Sequence, residues 1–305
     1  EFLQTTHNSM LQARLFDWAK EFRQLYRVPM GPPALPHIGP WTTTPLATVL
    51  MATKVEAGRP RRMAKALNLI RELVAYGADP NDTNDDLPLA FFATSKGCPP
   101  QAIELLLDLG ANPCFVSCPE TQESKTESEK ISQRALLRGA TLLHFAAREK
   151  YPEVIEMVGK RFPHLVAEKD PAGLSPLFRC VFPYVIWSGI VDKRPLLPSL
   201  NAFRNLGADP MEETRRGNGL LHALIHSRNH LNFSPEDMDE AIFFIHSWNP
   251  DTFELRQEDG TDGWTALEKS GIALAGSKSS ALLAHQRMNQ RFSPAGSDRT
   301  PSRRF

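Results

Sequence analysis

Tyr76-Gly77-Ala78-Asp79-Pro80-Asn81, Leu109-Gly110-Ala111-Asn112-Pro113 and Leu206-Gly207-Ala208-Asp209-Pro210 are three copies of one short phrase, and the first two glycines stand 33 residues apart. Self-similarity at that period marks a stack of repeated units, each too small to bury its apolar face alone. An apolar helical segment precedes every copy: Leu67 to Val74, Ile103 to Leu109 and Ala202 to Leu206. Glycine directly after such a segment supplies the left-handed residue that ends a helix. A second phrase recurs at helix starts: Thr44-Pro45-Leu46, Leu87-Pro88-Leu89, Thr141-Leu142-Leu143-His144, Ser175-Pro176-Leu177, Gly219-Leu220-Leu221-His222 and Thr265-Ala266-Leu267. Thr or Ser caps the helix, Pro suits its first turn, and Leu opens the buried face.

In combination these phrases resemble the ankyrin repeat, over about Thr44 to Leu283. The resemblance implies an all-α solenoid of about five to six helix-turn-helix repeats with short β-hairpin loops. Asp170-Pro171-Ala172-Gly173-Leu174-Ser175-Pro176-Leu177 reads as the family's passage from hairpin to helix. The equivalent leucines Leu46, Leu89, Leu143, Leu177, Leu221 and Leu267 are 43, 54, 34, 44 and 46 residues apart, so most units carry insertions. Closure departs from Gly-Ala-Asp after the third start, at Phe162-Pro163-His164-Leu165, and after the fifth, at Trp248-Asn249-Pro250-Asp251.

The repeat domain is expected over residues 42–285, with insertions near 114–138 and 182–199. Upstream, Leu11, Leu15, Trp18, Phe22 and Leu25 line one face of an amphipathic helix within residues 1–28. Its mixed charges favour a lid on the first repeat over a membrane-surface or partner helix. Residues 29–41 hold five prolines and two glycines, the composition of an extended linker. The first insertion, around Glu120 to Lys130, is polar enough to read as a solvated loop. The second, with Phe182, Tyr184, Ile186 and Trp187, either covers the groove beside its own repeat or supplies aromatic anchors for a partner. Residues 286–305 read as a disordered basic tail, and Arg59, Arg61, Arg62 and Lys65 as a solvated basic turn.

Lys plus Arg equals Asp plus Glu at 35 each, so no global field draws in nucleic acid or anionic lipid. The most apolar stretch, Leu177 to Val191, is broken by Arg179 and Pro183 and falls short of the roughly 20 residues of a membrane span. Four cysteines, Cys98, Cys114, Cys118 and Cys180, are too sparse for a disulfide framework and favour a reducing, intracellular setting, cytoplasmic or nuclear. The first residue, Glu1, leaves open a removed leader or an upstream domain.

His222, His226 and His230, spaced i, i+4, i+8, would align three imidazoles on a helix and raise the question of zinc. The repeat register accounts for His222 and His144 instead, and no Glu follows the first His as a metalloprotease helix requires. Cys114 and Cys118 lack a second ligand pair. With no nucleophile elbow or phosphate-cradling loop, neither catalytic residues, metal nor cofactor is expected, and the chain reads as a monomeric, non-enzymatic scaffold or adaptor for another protein. The alternatives are a targeting arm of a larger enzyme and a metal enzyme on the histidine row. By the resemblance, a partner docks on the concave face and hairpin tips, at or near Asp85, Asp86, Arg138, Arg148, Glu149, Pro171, Leu174, Arg215, Arg216, Asn218 and Trp264. Trp264 fits a hot-spot role and packing on a neighbouring hairpin equally well.

Overall fold

The computed structural model describes residues 44–84, 87–114, 139–181, 194–227, 234–271 and 277–292. The expected N-terminal helix and linker, nearly all of the polar insertion, residues 182–193 of the aromatic one and residues 293–305 lie outside them.

Among the described residues twelve α-helices fall into six successive pairs: α1 (Pro45–Val55) with α2 (Pro60–Ala75), α3 (Leu89–Ser95) with α4 (Pro100–Asp108), and α5 (Leu142–Arg148) with α6 (Pro152–Arg161). Then come α7 (Pro176–Val181) with α8 (Leu196–Asn205), α9 (Leu220–Ser227) with α10 (Pro235–Trp248), and α11 (Gly263–Ser270) with α12 (Lys278–Phe292). The odd-numbered helices pack side by side from α1 to α11, and a second row runs α4, α6, α8, α10, α12. The antiparallel strands β1 (Thr83–Asn84) and β2 (Leu87–Pro88) lead into α3. Isolated bridges between Cys114 and Thr141 and between Arg256 and Asp262 stand where further hairpins return.

Composition separates the two rows. The odd helices lie between neighbours, and α3 buries every residue from Leu89 to Thr94. The even helices bury a stripe and solvate the rest; in α2 the buried positions Ala66, Ile70 and Leu73 step by four and three. Phe91 of α3 meets Phe145 of α5 edge-on at 4.9 Å, a contact between repeats worth about 0.5–1.5 kcal/mol beyond the area it buries.

Local chemistry sets the ends of the helices. Thr44 Oγ1 accepts from the Ala47 N–H at 3.2 Å, with Pro45 in the first turn. Gly77, Gly110 and Gly207 take φ of 98°, 98° and 75°. The next amide, of Ala78, Ala111 or Ala208, reaches back to the carbonyl of Leu73, Leu106 or Phe203. Asp79, Asn112 and Asp209 then accept from the amide two residues on, at 2.8, 2.9 and 2.8 Å. The two divergent closures share one solution: Phe162 and Asn249 leave the helical backbone, at φ of −130° and −152°, and a proline starts a 3-10 turn, Pro163–Val166 or Pro250–Phe253.

Three expected boundaries move. The sixth helix start is set by Asp262, whose side chain accepts from the Thr265 N–H at 2.8 Å, so α11 opens three residues before Thr265-Ala266-Leu267 would place it. Leu196–Ser199, assigned to an insertion from sequence, is the first turn of α8. The basic tail expected from residue 286 starts no earlier than 293, because α12 continues to Phe292.

Candidate partner-binding surface

The odd helices and the hairpins that feed them share one side of the stack. Glycine is the means by which one hairpin tip lies on the next. A Cβ on Gly139 would come within 3.2 Å of the Pro171 ring, and one on Gly173 within 2.7 Å of the Arg215 side chain. One on Gly217 would approach the Arg256 carbonyl at 3.5 Å. Gly139 and Gly173 thus offer a flat floor to a side chain of the following tip, and Gly217 lies against the backbone of the next, so that the three junctions run as a ribbon from residue 139 to Arg256.

A buried polar knot fixes the ribbon to the helices. Asp170, fully buried at its side chain, accepts from the Ala172 and Leu174 amides at 2.9 and 3.1 Å and pairs with Arg179 of α7. Leu174 presents its carbonyl to His144 Nε2 at 3.0 Å, while His144 Nδ1 accepts from the Thr141 N–H at 3.1 Å. These contacts define the neutral tautomer with the proton on Nε2. Burial pushes the His144 pKa down to about 4, outweighing the Leu174 carbonyl and the Asp170 carboxylate that pull it up. One imidazole therefore ties the start of α5 to the next hairpin.

His222 has the same position in α9 and a different environment. Gly219 replaces the threonine, and the space a side chain there would need is filled by Leu255. The His222 ring is completely buried against the backbone of Thr261 and Asp262, and desolvation lowers its pKa against the upward pull of those two backbone groups. His226 points to the surface, where Gln257 Nε2 lies 3.1 Å from its Nε2, so the first two members of the histidine row face different media. His230 lies outside the described residues. Among the described residues no group of three or more His, Cys, Asp or Glu side chains is placed to hold a metal ion, and no helix is long and apolar enough to cross a membrane.

The residues expected on the binding face divide. Pro171, Arg215 and Arg216 are exposed on the tips, with Asn218 half-buried beside them. Arg148 and Glu149 neutralise each other through two hydrogen bonds to Glu149 Oε1, at 2.9 and 2.6 Å, and Arg148 lies 4.4 Å from the Phe145 ring centre. Leu174 does not belong to the surface: it is 7% exposed because its backbone is drawn in to Asp170 and His144. Trp264 sits in the first turn of α11 and not at a tip. It packs on Phe253 and His246, with ring centres 4.5 and 5.7 Å away, and its indole N–H donates to Glu254 at 2.9 Å. Asp85, Asp86 and Arg138 lie outside the described residues. Sequence reasoning missed Asp170 and the platforms at Gly139 and Gly173, for which the phrase Asp170-Pro171-Ala172-Gly173 was the available signal.

Helix pairs stacked in two rows, with hairpins projecting along one side, define a repeat solenoid. The solved structures specify its type. The chain is similar to the ankyrin repeat domain of Bcl-3, a unique member of the IkappaB protein family, at 18% identity over 92% of this chain and 96% of that one, with a TM-score of 0.50. It is also similar to the human ASB11 ankyrin repeat domain, at 14% identity over 92% and 96%, with a TM-score of 0.52. The fold is the ankyrin-repeat solenoid. No family model matches the chain, and no curated protein sequence does.

Proposed function

We propose that this chain is a non-catalytic scaffold that holds another protein along the hairpin ribbon and the adjoining ends of the odd helices. One observation supports the reading most: the tips are joined through glycine platforms into a rigid ribbon while Pro171, Arg215 and Arg216 remain exposed on it. A preformed ribbon lets a partner dock without paying to order loops. Arg215 and Arg216 are its cationic contacts. Arginine, planar and weakly hydrated, is favoured at interfaces.

Photo-crosslinking in cells tests this directly. A crosslinker in place of Arg216 is expected to trap a discrete partner, and one in place of Lys160 on α6, in the other row, is not. Arg215→Glu with Arg216→Glu should abolish the trapped band from a crosslinker at Pro171. Crosslinks at Lys160 with none on the ribbon would sink the proposal.

A further inference from the structure

Apart from the ribbon, the outward end of the first repeat carries an apolar face, and among the described residues no repeat precedes it. The described helices that pack on α1 are α2 and α3. Lys54 marks the α3 side, since its Nζ donates to the Lys96 carbonyl at 2.6 Å. Val49 and Ala52 lie about 140° and 160° around the helix from Lys54, at about 100° per residue, on the side from which a preceding repeat would come. Water does not reach them there: Val49 is 0% and Ala52 6% exposed. Counted from the aligned leucines Leu46, Leu89 and Leu143, the positions that match Ala52 are Ser95 and Glu149. Both are polar and only half-buried, although their repeats have a neighbour on either side. The end position is thus the most apolar and the most deeply covered of the three.

α2 continues the face. In the register set by Gly77 and Gly110, Leu69 and Tyr76 match Ala102 and Leu109. Ala102 is fully buried, whereas Leu69 is half-buried and Tyr76 37% exposed. Exposed Lys65 and Glu72, of opposite sign, border this flank, so it has no net charge to select a partner by and only its apolar surface to offer.

We propose that the cover is residues 11–25 of this chain, laid against α1 and the outward flank of α2 through Leu11, Leu15, Trp18, Phe22 and Leu25. Their spacing of four, three, four and three puts all five on one helical face about 21 Å long, close to the length of about 24 Å expected for the 16 residues of α2. Chain continuity selects this segment. The described part of the first repeat begins at Thr44, and the 18 residues 26–43 reach about 60 Å when extended, enough to bring the stripe to any point on the end. Each internal repeat hides its flank against a neighbour; here the stripe takes the neighbour's place.

The test uses the full chain with Cys114→Ser and Cys118→Ser, which leaves buried Cys98 and Cys180 as the native thiols. Ala19→Cys, beside the middle of the stripe, with Lys65→Cys, beside Leu69, should be joined within one chain by a flexible bismaleimide. Ala19→Cys with Lys269→Cys, on α11, should not. Hydrogen exchange supplies the second readout. Trp18→Ala with Phe22→Ala should speed exchange of α1 and α2 roughly tenfold or more, as expected from uncovering two large aromatic side chains, while α7 to α10 keep their protection. Trp18→Phe with Phe22→Leu should restore most of it. Unaltered exchange in α1, or equal crosslinking to Lys65→Cys and Lys269→Cys, would overturn the proposal. Crosslinks formed only between two chains would give the face to a second copy and overturn it too. Neither readout depends on the ribbon, so Arg215→Glu with Arg216→Glu should leave both unchanged.

Discussion

His144 couples acidity to the junction between the third and fourth repeats. It is held neutral in the folded chain at a pKa of about 4 and titrates near 6.5 when unfolded, so the unfolded chain binds the extra proton across that window. Its stabilising effect is complete above pH 6.5 and is lost as pH falls towards 4, a total on the order of 3 kcal/mol. Urea unfolding of the parent and of His144→Gln at pH 7 and pH 4.5 should show the parent losing more stability than the variant; equal losses would disprove the assignment. Asp170 makes a second residue-scale case. Asp170→Ala takes the carboxylate away from the Arg179 guanidinium and from two backbone amides in the interior, at a cost of about 3–5 kcal/mol. Adding Arg179→Leu should recover part of that loss and no more, since the Ala172 and Leu174 amides still lack their acceptor. Full recovery in the double variant would show that the amides contribute nothing.

Helix closures were the most legible elements, because Gly77, Gly110 and Gly207 announce a backbone state that few other residues adopt. The divergent closures were visible as departures, but their shared 3-10 turn was not: proline signals that a helix stops without specifying the backbone path beyond it. The sixth start was misplaced because Thr265-Ala266-Leu267 repeats the expected phrase while Asp262, equally able to cap, stands three residues earlier. The same shift explains why Trp264 was read as a tip residue when it belongs to the first turn of α11. Leu174 was misjudged because hairpin burial is set by tertiary partners, Asp170 and His144, that lie beyond any local period. Gly263, at the first position of α11, gives this element its sharpest test. A Cβ there would stand 2.9 Å from Phe253 Cα and 3.0 Å from its carbonyl oxygen, backbone atoms that cannot swing aside. Gly263→Ala should cost about 1–3 kcal/mol by overpacking, read as a lowered unfolding midpoint. An unchanged midpoint would mean that the 3-10 turn yields freely.

Across the stack each repeat is stabilised mainly by its neighbours, and α12, the last helix among the described residues, packs on α10 and pairs its Arg287 with Glu268 of α11. α12 is anchored to α10 by Asp239, whose carboxylate accepts the Lys278 and Ser279 amides at 2.9 and 2.8 Å. Burial alone would raise the Asp239 pKa, but these hydrogen bonds outweigh it and hold the carboxyl ionised. Asp239→Ala should therefore speed hydrogen exchange throughout α12 while α3 to α6 keep their protection, at a cost of about 1 kcal/mol, typical of a lost cap. Protection lost evenly along the chain would show instead that the stack opens as one unit. The opposite end is fastened differently. Asn81 receives the Asn112 N–H at 2.7 Å and donates to the Gly110 carbonyl at 3.1 Å, linking the first two closures. Cys114 and Met211 stand at the matching positions of the later closures and lack an amide side chain to repeat that link. Pulled along its axis, the solenoid would resist as an unevenly riveted spring: Asn81 pins the first two closures together, His144 pins the third coil to the fourth, and lengthening begins at the coils between and beyond those rivets.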